Sequence, residues 1–163
     1  MGSGARPAAS CLVSVVIQHA TAALIPRIAT IEQAAFTDPW SEQAFREALA
    51  HPAVYFACAR SDAGDVQGYV VAWFVADEGE IANLAVAPAA VGAGIGRALM
   101  DAALREAWLR GANAVYLEVR DSNERARRLY ASCGFEEIAR RRAYYRKPVE
   151  DAIVLRRTLK QDV

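Results

Sequence analysis

Hydrophobic positions along the chain fall into short stretches with two different periods. A β-branched run at 12–18 is followed by apolar residues at every third or fourth position, which predicts a strand and then a helix. Pro39 prevents that helix from continuing, and Ser41 is a favourable N-cap residue. Trp40 and Phe45 occupy the two positions of a hydrophobic staple. A second helix is therefore predicted to begin at Ser41.

Residues 53–86 alternate between apolar runs and turn-prone segments, which predicts a three-strand antiparallel meander. A glycine-rich loop follows, then a helix over 95–110 and a strand over 114–119. A strand, a helix and a strand in succession form a crossover unit, so we expect 114–119 to pair in parallel with the last meander strand. One more helix and two strands, near 135–145 and 150–159, complete a pattern of seven strands and four helices.

Composition favours one globular domain, because 163 residues with 54% hydrophobic side chains can bury a substantial core. We expect that domain over 12–163, after a disordered extension over 1–11 that lacks the features of a signal peptide. The 19 basic and 19 acidic side chains cancel, which argues against general nucleic-acid or membrane-surface binding. Three scattered cysteines and two histidines indicate neither a disulfide framework nor a metal site, so a reducing cytoplasm fits best. No apolar run approaches the roughly 20 residues of a membrane helix.

The loop before the 95–110 helix contains three glycines within five positions, Gly92, Gly94 and Gly96. Such a loop points several N–H groups and the positive end of the helix dipole at one place, which suits a phosphate or pyrophosphate. The simpler alternative is that the glycines only turn the chain. A Walker loop is excluded because no Gly-Lys-Ser/Thr follows. A Rossmann dinucleotide site is the second interpretation, disfavoured because Arg97 stands at the third glycine position.

Two segments of this chain resemble the acetyl-CoA signature of the GNAT N-acetyltransferases, namely NLAVAPAAVGAGIGRALM and YLEVRDSNERARRLYASCGF. Two further segments are similar to the bacterial ribosomal-protein-alanine N-acetyltransferases, namely IEQAAFTDPWSEQAF and RRAYYRKPVEDAIVL. Together the matches span about residues 13–159. The resemblance implies an α/β (α+β) GNAT fold, with a mixed, splayed sheet of about seven strands flanked by about four helices. It also implies acetyl transfer from acetyl-CoA to a protein N-terminus, in particular the N-terminal alanine of a small-subunit ribosomal protein.

A cofactor site is implied by the same resemblance, with backbone amides of the loop on the pyrophosphate of CoA and the preceding strand on the pantetheine arm. The residues implied are Leu84, Ala85 and Val86 for pantetheine, Gly92, Ala93, Gly94, Ile95, Gly96 and Arg97 for pyrophosphate, and Asn123 as a further CoA contact. Asn123 is also a candidate N-cap. The family usually has polar or basic side chains where this chain has Val91 and Gly92. Arg97 is then the only cation expected within the loop, which predicts weaker affinity for the cofactor.

Acetyl transfer to an amine needs a base for the amine proton and an acid for the departing thiolate. Glu118 is a charged residue in an otherwise apolar strand, and burying a charge is costly. Glu118 is therefore a candidate functional residue, and the simple alternative is that its side chain reaches water or Arg120. Tyr130 lies on the apolar face of its predicted helix, where a core tyrosine is the alternative. The resemblance implies that Glu118 is the base and Tyr130 the acid. Cys133 has no accompanying histidine and is expected to be a core thiol.

Residues 139–148 combine several basic side chains with two tyrosines, which allows an RNA-binding interpretation, although we expect a solvated loop between strands. The resemblance implies that Tyr144 and Tyr145, with Phe36 and Trp40 of the preceding connector, grip the first residues of a substrate peptide. Acetylation of lysine or of a small amine, and a non-catalytic CoA-binding module, are the alternative functions. Neither a nucleic-acid nor a membrane partner is expected, and the residues leave the oligomeric state open.

Overall fold

The computed structural model describes residues 14–159. The predicted extension over 1–11 and the first residues of the predicted strand at 12–18 lie outside this range. In chain order the helices and strands are β1 (Val15–His19), α1 (Ile25–Ala35), α2 (Glu42–Ala50), β2 (Val54–Ser61), β3 (Val66–Val75), β4 (Glu78–Val86), α3 (Ile95–Leu109), β5 (Ala114–Arg120), α4 (Glu124–Ser132), β6 (Glu136–Arg146) and β7 (Val149–Thr158). None of the helices within 14–159 is long and apolar enough to span a membrane.

The start of α2 shows how local sequence sets an element boundary. Ser41 adopts an extended conformation and its Oγ accepts a hydrogen bond from the N–H of Ala44 at 3.1 Å. The rings of Trp40 and Phe45 lie 5.3 Å apart between centroids. The predicted N-cap and hydrophobic staple are therefore confirmed.

All seven strands form one sheet in the order β1-β2-β3-β4-β5-β7-β6. The pair β4 and β5 is parallel and the other neighbours are antiparallel, as the meander and crossover patterns predict. One face of the sheet is covered by α3, with Leu99 and Met100 fully buried against it. The other face is covered by α1 and α2, which bury Ile28 and Phe45. Each face thus has its own apolar core.

The sheet opens between β4 and β5. These strands pair only where residues 78–81 face residues 114–117. Beyond that point β4 continues to pair with β3 while β5 continues with β7, and the part of the chain that the structure describes contains no further β4 to β5 pair. Ala82 is an extra residue in the β3 to β4 register, so β4 bends where the separation begins. The predicted splayed sheet is confirmed.

The strand predicted near 135–145 is confirmed by the edge strand β6 over Glu136–Arg146. The solvated loop expected over 139–148 is wrong for most of that segment, because residues up to Arg146 belong to β6. The register against β7 shifts between Arg141 and Tyr145, so residues 142–144 bulge out opposite a single partner residue. Within the bulge Ala143 has a φ of +50°. Almost every side chain of β6 is exposed, so its basic part lacks the apolar and polar alternation that marks a half-buried strand.

Candidate active site

The gap between the two parallel strands leaves one edge of β4 open. Leu84, Ala85 and Val86 pair with β3 on one side, and the side toward β5 is free of strand pairing. Ala85 is buried against the α1 and α2 side, whereas Leu84 and Val86 pack against the α3 side. A free strand edge offers backbone N–H and C=O groups to an extended ligand that carries amides of its own. These residues therefore fit the pantetheine arm implied by the resemblance.

The glycine loop ends at the N-terminus of α3, where Gly94 is the N-cap residue with a φ of +83°. Gly92 also has a positive φ, of +90°, a conformation that L side chains rarely adopt. A Cβ built on Gly94 meets no atom within 4 Å, so the backbone there faces open space. Ala93 is exposed beside it, whereas Ile95 is buried beneath the loop. This open backbone at a helix N-terminus fits an anion.

Gly96 and Arg97, which were also predicted to bind pyrophosphate, lie where α3 packs against α4. A Cβ on Gly96 would lie 3.1 Å from Leu129 Cδ2, so the absence of a side chain allows the close approach of the helices. Arg97 Nε lies 3.4 Å from Asp101 Oδ1, and its Nη1 donates to Ser132 Oγ at 3.3 Å. The guanidinium of Arg97 is therefore held against the two helices rather than extended over the loop.

A second cation at the loop comes from α4 and was missed in the sequence. Arg125 Nη2 lies 4.0 Å from the position that a Cβ on Gly92 would occupy. The helix that carries it is capped by Asn123, whose Oδ1 accepts from the N–H of Ala126 at 3.2 Å, which confirms the predicted N-cap. The available signal was that Arg125 follows this cap within the first helical turn, where its side chain can reach back toward a neighbouring loop.

Glu118 lies on the face of β5 opposite to its buried neighbours Leu117 and Val119. Its side chain is 22% exposed, and its Oε1 lies 3.1 Å from Arg141 Nε. The sequence alternative of a contact with Arg120 is wrong, because the Arg120 guanidinium instead pairs with Glu150 at 3.3 Å. Glu118 is therefore a partly buried carboxylate with one arginine beside it, on the wall of the gap between the parallel strands.

The paired tyrosines of β6 lie next to this carboxylate. A hydrogen bond to Glu118 raises the pKa of Tyr144. The Tyr145 ring lies 5.2 Å from the Tyr144 ring, edge to face, and the Arg120 guanidinium stacks over Tyr145 at 4.3 Å from the ring centroid. Burial raises the pKa of Tyr145 to about 12, and the charge of Glu118 adds to this effect. The predicted peptide-gripping tyrosines thus share one surface with the predicted base.

Tyr130 is 8% exposed and belongs to the core on the α3 side, with its ring 6.1 Å from that of Phe135. Burial raises its pKa to about 12, and interaction with Tyr145 adds to the increase. Cys133 is 2% exposed, which confirms the expected core thiol.

The connector between α1 and α2 bridges to the turn between β6 and β7. The Thr37 hydroxyl donates to the carbonyl of Lys147, and Arg120 Nη2 donates to the same carbonyl at 3.3 Å. Lys147 Nζ also lies 3.9 Å from Asp38 Oδ1. Phe36 precedes and Trp40 follows the bridging residues Thr37 and Asp38 in the sequence. Both aromatic side chains are half-buried and pack against the α1 and α2 core. The two segments predicted to hold a peptide are thus in contact.

Glu32 is a further residue that the sequence analysis did not single out. It is 1% exposed, and its carboxylate accepts hydrogen bonds from the Trp40 N–H, from Asn83 Nδ2 and from the Tyr69 hydroxyl. Burial raises the pKa of Glu32, while the bonds from Trp40 and Asn83 oppose that increase. The signal was an acidic residue on the apolar face of α1, next to the buried Ile31.

A groove of about 570 Å³ runs along the sheet from Glu118 toward the β3 to β4 turn. Trp73, Glu80, Tyr116 and Arg141 are among the side chains that line it. Its volume suits several residues of a peptide or a small organic molecule. The open β4 edge and the glycine loop present backbone groups that suit an extended anionic ligand, and the groove carries carboxylates that suit a cation.

In a comparison with known proteins, residues 25–135 match the Acetyltransferase (GNAT) family. The chain belongs to the GNAT acetyltransferase family. It is 40% identical over 149 residues to the N-alpha-acetyltransferase RimI of Mycobacterium tuberculosis, covering 88% of this chain and 92% of that protein. It is 36% identical over 133 residues to the ribosomal protein bS18-alanine N-acetyltransferase of Escherichia coli K12, covering 80% and 88%.

A solved GNAT structure agrees with the fold over nearly the full length. The crystal structure of the ribosomal-protein-S18-alanine N-acetyltransferase from Escherichia coli matches with a TM-score of 0.84 and 32% identity, over 92% of this chain and 97% of that one. The predicted GNAT fold and the class of N-acetyltransferase are therefore confirmed, and enzymes of this family use acetyl-CoA.

Proposed function

We propose that this GNAT enzyme transfers the acetyl group of acetyl-CoA to the α-amine of a protein, and that its substrate is the N-terminal alanine of a small-subunit ribosomal protein. The observation that carries the proposal is the position of Glu118, a partly buried carboxylate at the separation of β4 and β5 and at the head of the groove. The names of the relatives in Escherichia coli and Mycobacterium tuberculosis favour an N-terminal amine over other acceptors.

Acetyl-CoA supplies the acetyl group as an activated thioester. The open backbone of Leu84, Ala85 and Val86 fits the pantetheine arm, and the loop amides over 92–97 fit the pyrophosphate. Arg125 restores part of the positive charge that the loop lacks at Val91 and Gly92. Asn123 is positioned by its cap on α4 for the additional contact.

Two side chains would handle the protons. Glu118 Oε accepts the proton of the amine, and an α-amine with a pKa of about 8 is easier to deprotonate than a lysine with one of about 10.4. Tyr130 Oη keeps its proton at neutral pH because burial raises its pKa to about 12. It can therefore protonate a thiolate, whose conjugate acid has a pKa near 8.5.

The peptide would lie between the connector and β6. In this proposal Phe36 and Trp40 on one side and Tyr144 and Tyr145 on the other serve as rigid aromatic walls, which would hold an extended peptide with a small loss of side-chain entropy. The bridge from Thr37 to Lys147 closes one side of this passage, and that favours entry of a chain end.

Release of free thiol from acetyl-CoA, measured with three matched peptides, tests the proposal. The first begins with a free alanine, the second is the same peptide blocked at its terminus but containing a lysine, and the third is blocked and has no lysine. We expect turnover with the first peptide alone. Faster turnover with the second would indicate a lysine acetyltransferase, and acetyl-CoA binding without turnover on any amine would indicate a non-catalytic module.

A further inference from the structure

Two glutamates on neighbouring strands approach each other in the groove. Glu80 of β4 is paired with Tyr116 of β5, so it lies two residues from Glu118 on the same face of the parallel strands. Desolvation and the charge of Glu118 raise the pKa of Glu80, and the charge of Arg141 lowers it. The carboxylates of Glu80 and Glu118 and the guanidinium of Arg141 thus form one cluster at the Glu118 end of the groove, which we call the groove head.

Arg141 is the cation of this cluster. Its Nε lies 3.1 Å from Glu118 Oε1, and within residues 14–159 no other lysine, arginine or histidine forms an ion pair with Glu118. Tyr144 adds a hydrogen bond from a neutral phenol, and the nearby Arg120 is engaged with Glu150. Among the described residues, Glu118 at the groove head is therefore paired with a single cation, which comes from the edge strand.

The contacts of Arg141 are those of a group that can move away. Its side chain is 58% exposed, and its guanidinium lies 5.6 Å from the centroid of the Tyr144 ring, which is itself exposed. The residue stands directly before the bulge over 142–144, where the register against β7 is lost. Ion pairs this exposed contribute little to stability, so a competing cation can replace the guanidinium at low cost.

Resting on the proposed function, we propose that the Arg141 guanidinium occupies the position of the substrate's N-terminal ammonium, and that Arg141 swings aside when the substrate binds. Both groups are cations that donate N–H to a carboxylate, and the amine must lie beside Glu118 for its proton to be removed. One carboxylate cannot pair closely with both cations at the same atom. Arg141 is thus a competitor of the substrate, and Glu80 keeps a second negative charge near the arriving ammonium.

Calorimetric binding of two peptides to the full-length protein tests this inference. The peptides are the alanine-starting peptide and the same peptide with an acetylated terminus, which lacks the ammonium charge. In Arg141→Ala the dissociation constant of the free-amine peptide should fall by about two- to fivefold, the scale of an exposed ion pair, whereas that of the blocked peptide should stay unchanged. Arg142→Ala is the matched control, because Arg142 is the next arginine of β6 and forms no ion pair among the described residues. It should bind both peptides as the wild type does.

A second measurement uses methylguanidinium as the probe. In Arg141→Ala it should enter the vacated position and compete with the free-amine peptide, at lower concentrations than in the wild type. Unchanged or weaker binding of the free-amine peptide to Arg141→Ala would overturn the inference while leaving the proposed function intact. An equal gain for the blocked peptide would also overturn it, since the effect would then not depend on the ammonium. Failure of the wild type to bind either peptide would contradict the proposed function and this inference together.

Discussion

The backbone N–H of Trp40 donates a hydrogen bond to Glu32 Oε1 at 3.0 Å, which ties the connector between α1 and α2 to a fully buried carboxylate. Asn83 Nδ2 donates to the two oxygens of the same carboxylate at 2.9 and 2.8 Å. Asn83 belongs to β4, directly after the extra residue where the strand bends. Glu32 therefore sets the position of the connector relative to the splayed strand.

We predict that Glu32→Gln destabilises the protein at pH 7 by about 1–3 kcal/mol, because the new amide NH₂ faces N–H donors and leaves one without an acceptor. The loss of free energy of unfolding should also become smaller as pH rises. Burial raises the pKa of Glu32 in the folded state, so its contribution to stability is fully present below the unfolded pKa and decreases as pH rises through the folded pKa. Urea unfolding from about pH 4 to 8 measures the difference between the two proteins.

Glu47→Gln is the control for that experiment, since Glu47 is an exposed glutamate on α2. Its free energy of unfolding should stay within about 0.5 kcal/mol of wild type. A stability difference for Glu32→Gln that is the same at every pH would show that Glu32 titrates alike in the folded and unfolded chains.

Gly94→Val should abolish binding of CoA, because its side chain would fill the open space in front of the loop backbone. The substitution also places a side chain at a φ of +83°, which strains the fold by about 1–2 kcal/mol. Gly111→Val is a matched control, as Gly111 has a φ of +78° and the same open surroundings but follows the other end of α3. Both variants should lose similar thermal stability, and only Gly94→Val should lose CoA in a calorimetric titration. Tighter binding of NAD than of acetyl-CoA by the wild type would favour the dinucleotide interpretation instead.

Tyr130→Phe should lower the rate of acetyl transfer by about 10²-fold at every pH from 6 to 10. The deficit should not change with pH because burial raises the pKa of Tyr130 to about 12, so the phenol stays protonated over this whole range. Tyr55→Phe tests the effect of removing a hydroxyl from another buried tyrosine, one that lies in β2, and should keep full activity. A deficit in Tyr130→Phe that disappears at high pH would contradict the assignment of Tyr130 as the acid.

Local signals in the sequence predicted the elements that depend on neighbouring residues. Ser41 with its staple defined the start of α2, and Asn123 capped α4, because each contact spans only a few residues. The splayed sheet was predicted only through the family resemblance, because no local pattern shows where two parallel strands stop pairing. The strand β6 was predicted near 135–145, but its basic part was also expected to be a loop, since an exposed edge strand has no apolar face to mark it.

Contacts between distant segments account for what the sequence did not predict at the site. Arg120 was the sequence neighbour considered for Glu118, yet the turn before β7 brings Glu150 to Arg120 and leaves Glu118 to Arg141. Arg125 reaches the glycine loop from another helix in the same way. A run of arginines has no periodicity that shows which member faces a given carboxylate, so the partners were visible only after the chain was folded.

In the proposed reaction the Glu118 carboxylate removes the proton of an N-terminal amine. The pH dependence of acetyl transfer in Glu118→Gln, at saturating peptide and acetyl-CoA, is the decisive measurement of this role. Glutamine keeps the size and hydrogen bonding of Glu118 without its basicity, so transfer should fall by about 10²-fold at neutral pH and recover in part as pH rises above the α-amine pKa of about 8. Acetyl-CoA affinity, measured separately, should stay within a few-fold of wild type. Full activity of Glu118→Gln at pH 6, where the amine is almost entirely protonated, would contradict the role of Glu118 as the base.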